Sequence, residues 1–356
     1  MEIHDLLKEY IIQIDKTIEK YIPRFFSEDA ILFKFIPPRY AHNLIAINKS
    51  ITDPIWEFLD RGGKRWRAAL FLIICEALGK NPWDYIDFAI IPEIIHNGTL
   101  IVDDIEDSSE YRRGKPSTYK VYGLDIATNA GNAMYFLPLL PLIENQRNFS
   151  SATLSKIYEI YLKEMISLSL GQGVDLAWHK DLVNSDRLTE KQYLQMCAFK
   201  TGTLARMAAK MAAVLADADD ELVEKLGRFA ESIGIAFQIQ DDVLDLTSSD
   251  FTRQKGGFGQ DITEGKKTLI VLRTLSIAEF EDKERLLHIL KLHTPDPTLK
   301  EETLSLFQKY HSIEYAKQFA RRILDESWKE VDHALPDSDS KKKLKYFSNF
   351  LIERNI

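Results

Sequence analysis

Two triads of aspartate sit inside stretches patterned as helix: Asp103, Asp104 and Asp107 in VDDIED, and Asp241, Asp242 and Asp245 in QDDVLD. The i, i+1, i+4 spacing puts the first and last carboxylate of each triad on one helical face. Like charges so placed destabilise a helix, so the fold has to supply a counter-charge. Six carboxylates on two helices facing one cavity are most simply neutralised by hard divalent cations, Mg²⁺ above all. Mg²⁺ keeps much of its water and takes one or two carboxylates together with phosphate oxygens, so the pattern reads as a device for holding a diphosphate. One such cluster is as readily a solvated helix face. Two, each followed by basic motifs, tell strongly against that bland reading.

Around the triads the apolar period is helical almost throughout. Helical segments are expected at 5–22, 40–60, 64–78, 85–107, 127–145, 151–176, 190–215, 219–247, 266–280, 283–293, 298–307, 312–334 and 339–353. Trp66, Leu70, Ile73, Ile74 and Ala77 recur at three and four, the mark of one buried stripe, whereas 85–107 is apolar on several faces and suits the centre of a bundle. Turn residues such as Asn184-Ser185-Asp186 and Thr294-Pro295-Asp296-Pro297 separate the segments, and strand-like alternation is almost absent. The expectation is an all-α, central antiparallel bundle forming one domain over 1–356.

A formal charge of −8 argues against general nucleic-acid binding, which needs a basic footprint. Basic clusters inside an acidic chain point instead to a small anion. The two cysteines, Cys75 and Cys197, lie in apolar helical surroundings and offer neither a disulfide framework nor a zinc pattern. The N-terminal stretch alternates charges with a helical apolar period, unlike a signal peptide. The greasiest run, Met134 to Ile143, contains Pro138 and Pro141 and is short of the ~20 residues that span a bilayer, so no transmembrane segment and a cytoplasmic location are expected.

Four basic points accompany the triads. Gly62-Gly63-Lys64-Arg65-Trp66-Arg67 precedes a helix, where Lys64 and Arg67 share a face and can grip one anion; the spacing is not that of a Walker loop. Arg112 and Arg113 follow the first triad, with Gly114 and Pro116 breaking the helix there, and guanidinium forks suit phosphate oxygens. Lys200-Thr201-Gly202 reads as a kink that could turn a lysine and a hydroxyl into a cavity, and Lys255 sits in a glycine-rich loop after the second triad that could act as a lid. Glu93 and His96 have the Glu-x-x-His spacing of di-iron bundles, but the other such pair, Glu330 and His333, lies in a charged stretch remote from both triads, so His96 reads as a hydrogen-bonding group inside the pocket.

Taken in order, GGKRWR, DDIEDSSEYRRG, FKTG, FQIQDDVLD and KGGFGQD resemble the trans-isoprenyl diphosphate synthases, or polyprenyl synthetases, from about Gly62 to Lys267. The resemblance implies an isoprenoid-synthase-like helical bundle that condenses isopentenyl diphosphate with an allylic diphosphate, with Mg²⁺ as cofactor and a homodimer as assembly. It implies Asp103, Asp107 and Asp241 as main metal ligands, supported by Asp104, Asp242 and Asp245. Arg112, Lys200 and Lys255 would hold the allylic diphosphate, and Lys64, Arg67, His96 and Arg113 isopentenyl diphosphate. Thr201 and Gln238 would turn oxygen dipoles toward the allylic cation. Ala68 stands where the family commonly has proline after GGKRxR, and the lysine loop lacks the usual proline.

Family members with short products carry bulky aromatics one turn before the first triad; here Gly98 and Thr99 stand there, with Ile95 a turn deeper. The expectation is a product longer than fifteen carbons, twenty or twenty-five being favoured. A class I terpene cyclase and a non-catalytic partner subunit are the rival readings. The first needs no isopentenyl site, and the second would be expected to have lost carboxylates or basic residues.

Overall fold

The computed structural model describes residues 3–30, 39–180, 182–184, 187–248 and 257–353. The main helices are α1 (Ile3–Tyr21), α2 (Asp53–Leu59), α3 (Trp66–Ala77), α4 (Ile86–Glu106), α5 (Leu124–Phe136), α6 (Ser151–His179) and α7 (Glu190–Cys197). They continue with α8 (Thr203–Leu215), α9 (Asp220–Thr247), α10 (Leu269–Ile277), α11 (Phe280–Lys291), α12 (Pro297–Lys309), α13 (Ser312–Asp332) and α14 (Asp339–Glu353). Among the described residues the sheet structure is one hairpin, Tyr111–Arg112 paired antiparallel with Lys115–Pro116. The all-α expectation therefore holds. The chain divides into two compact units, one of residues 1–161, 207–223 and 336–344, the other of 162–206, 224–335 and 345–356.

In the first unit α4 packs against α3, α5 and α1. The sequence pattern gave α3 a single buried stripe, yet every residue from Trp66 to Ala77 except Glu76 is buried. Glu76 is offset by Lys343 of α14, and it accepts a hydrogen bond from the Tyr10 hydroxyl. Two stretches, Pro82–Glu106 and Leu124–Glu144, are long and apolar enough to cross a bilayer, longer than the run the sequence singled out. Their mutual packing accounts for that apolarity: Gly98 and Gly131 meet where α4 crosses α5, and a Cβ on Gly98 would lie 2.9 Å from the Gly131 carbonyl oxygen. The expected 127–145 helix is broken at Leu137–Leu139, where Pro138 cannot donate to the helical ladder.

In the second unit α10 packs on α13 and α11 on α12. The expected continuous helix over 190–215 is interrupted: α7 passes through a π-helical turn, Ala198–Gly202, before α8 begins. Thr189 starts α7 with a reciprocal cap, its hydroxyl accepting from the Gln192 backbone while the Gln192 side chain accepts from the Thr189 N–H.

Candidate active site

The first triad occupies the C-terminal end of α4, where backbone carbonyls already concentrate negative potential and a carboxylate is least welcome. The Asp107 N–H donates to the Asp103 carbonyl at 2.8 Å, which keeps the two side chains one turn apart on one face. Both are half-buried, while Asp104 is fully buried. Burial pushes the Asp104 carboxyl above its usual range even though Arg112 Nε donates to its Oδ1 at 2.6 Å. Arg112 Nη2 also reaches Asp103 Oδ2 at 3.4 Å. The hairpin makes this possible. Arg113 and Gly114 form its two-residue turn with φ of 54° and 74°, the positive pair that a tight right-twisted hairpin requires.

Arg113 points the other way. Its Nη1 donates to the Gly62 carbonyl and its Nη2 to Asn97 Oδ1 at 3.1 Å, and Asn97 is itself held by donating to the Glu93 carbonyl at 2.8 Å. Gly63 permits the approach, because a Cβ there would lie 3.3 Å from that guanidinium. α3 begins at Trp66 rather than at Lys64, since Arg65 is left-handed at φ 47°. Arg65 is buried and structural: its Nε donates to Asp15 at 2.9 Å and its Nη1 lies 3.8 Å from Glu93. Arg67 is buried with its guanidinium 4.4 Å over the Trp66 ring. The sum of these cations is visible on His96, whose burial and whose neighbours Arg67, Arg113, Arg112 and Arg65 hold it well below 6.5. Burial and the Arg65 charge likewise push Arg113 down to about 10. A neutral imidazole among crowded guanidiniums is a site that gains by accepting an anion.

In the second unit the other triad again falls in the last turns of its helix, α9. Asp241 is half-buried; Asp242 and Asp245 are buried. Asp242 accepts from the Tyr193 hydroxyl at 2.7 Å and from Gln238 Nε2 at 2.9 Å. Asp245 accepts from the Asp261 N–H at 3.1 Å through Oδ2 and from the Gly259 N–H at 3.1 Å through its carbonyl, anchoring the C-terminal end of the glycine-rich motif. Lys200 and Thr201 lie in the π-helical turn, a distortion that often marks function. Lys200 Nζ donates to Asp175 at 2.7 Å, and the Thr201 hydroxyl donates to Gln238 Oε1 at 3.0 Å. Two glycines admit the turn: a Cβ on Gly171 of α6 would lie 2.4 Å from the Lys200 nitrogen, and one on Gly234 of α9 2.6 Å from the Gly202 Cα.

Lys255 lies outside the described residues. Asp175, Asn97 and Tyr193 were not singled out from sequence. Of these, only Tyr193 had a signal, a tyrosine inside the polar run that opens α7. Gly98, read as an opening for a long hydrocarbon, faces α5, where a Cβ would lie 2.7 Å from that of Met134. The glycine is thus required by helix packing, so a bulky side chain at 98 tests the fold before it tests product length. Thr99 is half-buried and Ile95 fully buried, one turn apart on the face that leads to Asp103.

The donor set fits Mg²⁺. Among the described residues no three His, Cys, Asp or Glu side chains could by themselves hold a metal ion. Half-buried Asp103 and Asp107 in the first unit, and separately half-buried Asp241 in the second, stand at helix ends that favour cations, and so few carboxylates at each suit an ion that completes its shell with water and phosphate.

The model of the polyprenyl synthetase family matches residues 48–307. The chain is 30% identical over 354 residues to the short chain isoprenyl diphosphate synthase of Methanothermobacter thermautotrophicus, covering 99% of each. It is 34% identical to the geranylgeranyl diphosphate synthase of Sulfolobus acidocaldarius, over 82% of this chain and 87% of that one. The crystal structure of the geranylgeranyl pyrophosphate synthetase of Pyrococcus horikoshii superposes with a TM-score of 0.83 at 29% identity, over 99% of this chain and 98% of that one. The chain belongs to the polyprenyl synthetase family, as a trans-prenyltransferase of the geranylgeranyl diphosphate synthase-like kind.

Proposed function

We propose that the chain joins isopentenyl diphosphate head-to-tail to an allylic diphosphate and releases diphosphate, with geranylgeranyl or geranylfarnesyl diphosphate as product. The observation that carries this reading is the cluster of Arg65, Arg67, Arg112 and Arg113 around His96, with the hairpin sending Arg112 to the carboxylates of the first triad and Arg113 to Gly62 and Asn97. A cyclase needs one anion site, an elongating enzyme two. Lys64, Arg67, His96 and Arg113 bind isopentenyl diphosphate in this reading, and Arg112, Lys200 and Lys255 the allylic diphosphate.

Asp103, Asp107 and Asp241 would hold Mg²⁺, with Asp104, Asp242 and Asp245 supporting them. When bound, the metal offsets the charge that develops on the leaving diphosphate. Thr201 and Gln238 present oxygen to the allylic cation, and the isopentenyl double bond attacks it. The released diphosphate takes the proton lost in forming the new double bond. Thr99 and Ile95 flank the growing tail, and since each methylene is worth about 0.8 kcal/mol when buried, bore depth governs length.

Both units serve as one synthase domain over 1–356, and the assembly is a cytoplasmic homodimer. An exposed apolar stripe on α6, Leu162, Ile166 and Leu170 at four-residue spacing, supports an assembly through that helix. The test is incubation of the purified chain with Mg²⁺, isopentenyl diphosphate and dimethylallyl, geranyl or farnesyl diphosphate. Linear elongated product supports the proposal; a cyclic hydrocarbon would establish the cyclase, and inertness the partner subunit.

A further inference from the structure

We propose that Tyr193 is a positioning residue: acting through Asp242, it locks the Gln238 amide so that oxygen, and not N–H, faces Thr201. The geometry stands alone, while its consequence for rate rests on the prenyl-transfer reading above.

Four side chains of the second unit form one directed chain. Tyr193, 2% exposed, donates to Asp242 Oδ2 at 2.7 Å, and Gln238 Nε2 donates to Asp242 Oδ1 at 2.9 Å. At its far end Gln238 Oε1 accepts the Thr201 hydroxyl at 3.0 Å. An ionised carboxylate only accepts, so Asp242 compels Gln238 to present nitrogen to it. The amide oxygen is then left for Thr201. Reversing the amide would turn two N–H donors toward the place where positive charge develops, the wrong sign for stabilising a cation.

Tyr193 fixes the other oxygen of the carboxylate. Its phenol is buried beside the thiol of Cys197, a weak acceptor, so Asp242 is its strong partner. Without the hydroxyl, Asp242 would keep its charge but lose one of the bonds that hold its plane. A structural hydroxyl and an orienting one differ in what happens when Asp242 becomes an amide. In Asp242→Asn the single side-chain oxygen is claimed by Tyr193, so the new amide nitrogen faces Gln238 and forces it to reverse. Removing the Tyr193 hydroxyl then frees the asparagine to turn its oxygen back to Gln238.

The decisive experiment compares Tyr193→Phe, Asp242→Asn and their combination in the full chain, by single-turnover condensation and by side-chain amide NMR of metal-free, ¹⁵N-glutamine-labelled protein. The Gln238 resonance is assigned by its loss in Gln238→Met. We expect Tyr193→Phe alone to slow condensation by about threefold to tenfold, and Asp242→Asn by more. In the Asp242→Asn background, Tyr193→Phe should restore at least about threefold. The Gln238 amide should shift in Asp242→Asn and move part of the way back in the double variant.

Losses that simply accumulate, or a Gln238 amide unmoved by Asp242→Asn, would overturn the proposal. The resonance needs neither metal nor substrate, so it decides the geometry even if the wild-type chain fails to elongate. Should Tyr193→Phe not fold, the Gln238 resonance in Asp242→Asn alone decides: a shift supports the lock, and an unchanged signal refutes it.

Discussion

Gly98 and Gly131 stand at the crossing of α4 and α5, and a methyl group on the first would approach the carbonyl oxygen of the second to 2.9 Å. Neither Met134 Cβ, 2.7 Å away, nor that backbone oxygen can swing aside as a flexible side-chain tip could. Gly98→Ala should therefore destabilise the protein by about 1–3 kcal/mol, the range for forcing extra atoms into a packed core. Thermal and urea unfolding measure it; an unchanged midpoint would show that the helices part freely.

Thr99 is the cleaner probe of chain length, since it is half-buried and its hydroxyl donates back to the His96 carbonyl of its own helix at 2.7 Å. Thr99→Phe should shift the product spectrum toward fifteen carbons, with the unfolding midpoint close to wild type. Mass spectrometry of the dephosphorylated products reads this directly. Products of unchanged length would move the tail away from the Thr99 face.

His96 gives a pH signature. Burial and the surrounding arginines hold its folded pKa well below the ordinary 6.5, so on acidification the unfolded chain takes up a proton before the folded one does. The unfolded state then binds more protons, and stability falls as pH drops below 6.5 toward the folded pKa. His96→Gln should flatten this part of the pH dependence. Subtracting the variant's unfolding free energies from those of wild type across that range isolates the effect, and two parallel curves would rule it out.

Arg113 should act on binding. Its guanidinium is tied to Gly62 and Asn97, and its depressed pKa, about 10, reflects burial and the Arg65 charge, which the Glu93 carboxylate offsets only in part. Arg113→Lys loses the fork that spans those partners and is expected to raise KM for isopentenyl diphosphate by roughly tenfold or more, with a smaller effect on KM for the allylic substrate. Steady-state kinetics with each substrate varied would show it. Equal effects on both would place Arg113 with the allylic site instead.

What could be read from sequence was local. The triads, the basic motifs and the helical period each depend on residues a few positions apart, and α4 and α9 do carry the aspartates at the expected spacing. What escaped depends on partners far along the chain. Tyr193 meets Asp242 across forty-nine positions, and Lys200 finds Asp175 across twenty-five. Gly98 shows the same limit in reverse: the small residue was legible, but its reason, the backbone of α5, was not. The π-helical turn at Lys200 was visible only as a suspected kink, because its cause is the close approach permitted by Gly171 and Gly234.

The most direct test is a single turnover of farnesyl diphosphate with labelled isopentenyl diphosphate in Mg²⁺, on wild type, Asp103→Asn and Asp241→Asn. The account predicts linear geranylgeranyl diphosphate from wild type, a loss on the order of a hundredfold or more in each variant, and retained binding of isopentenyl diphosphate by calorimetry. Full condensation by either variant, or loss of isopentenyl diphosphate binding in both, would contradict it.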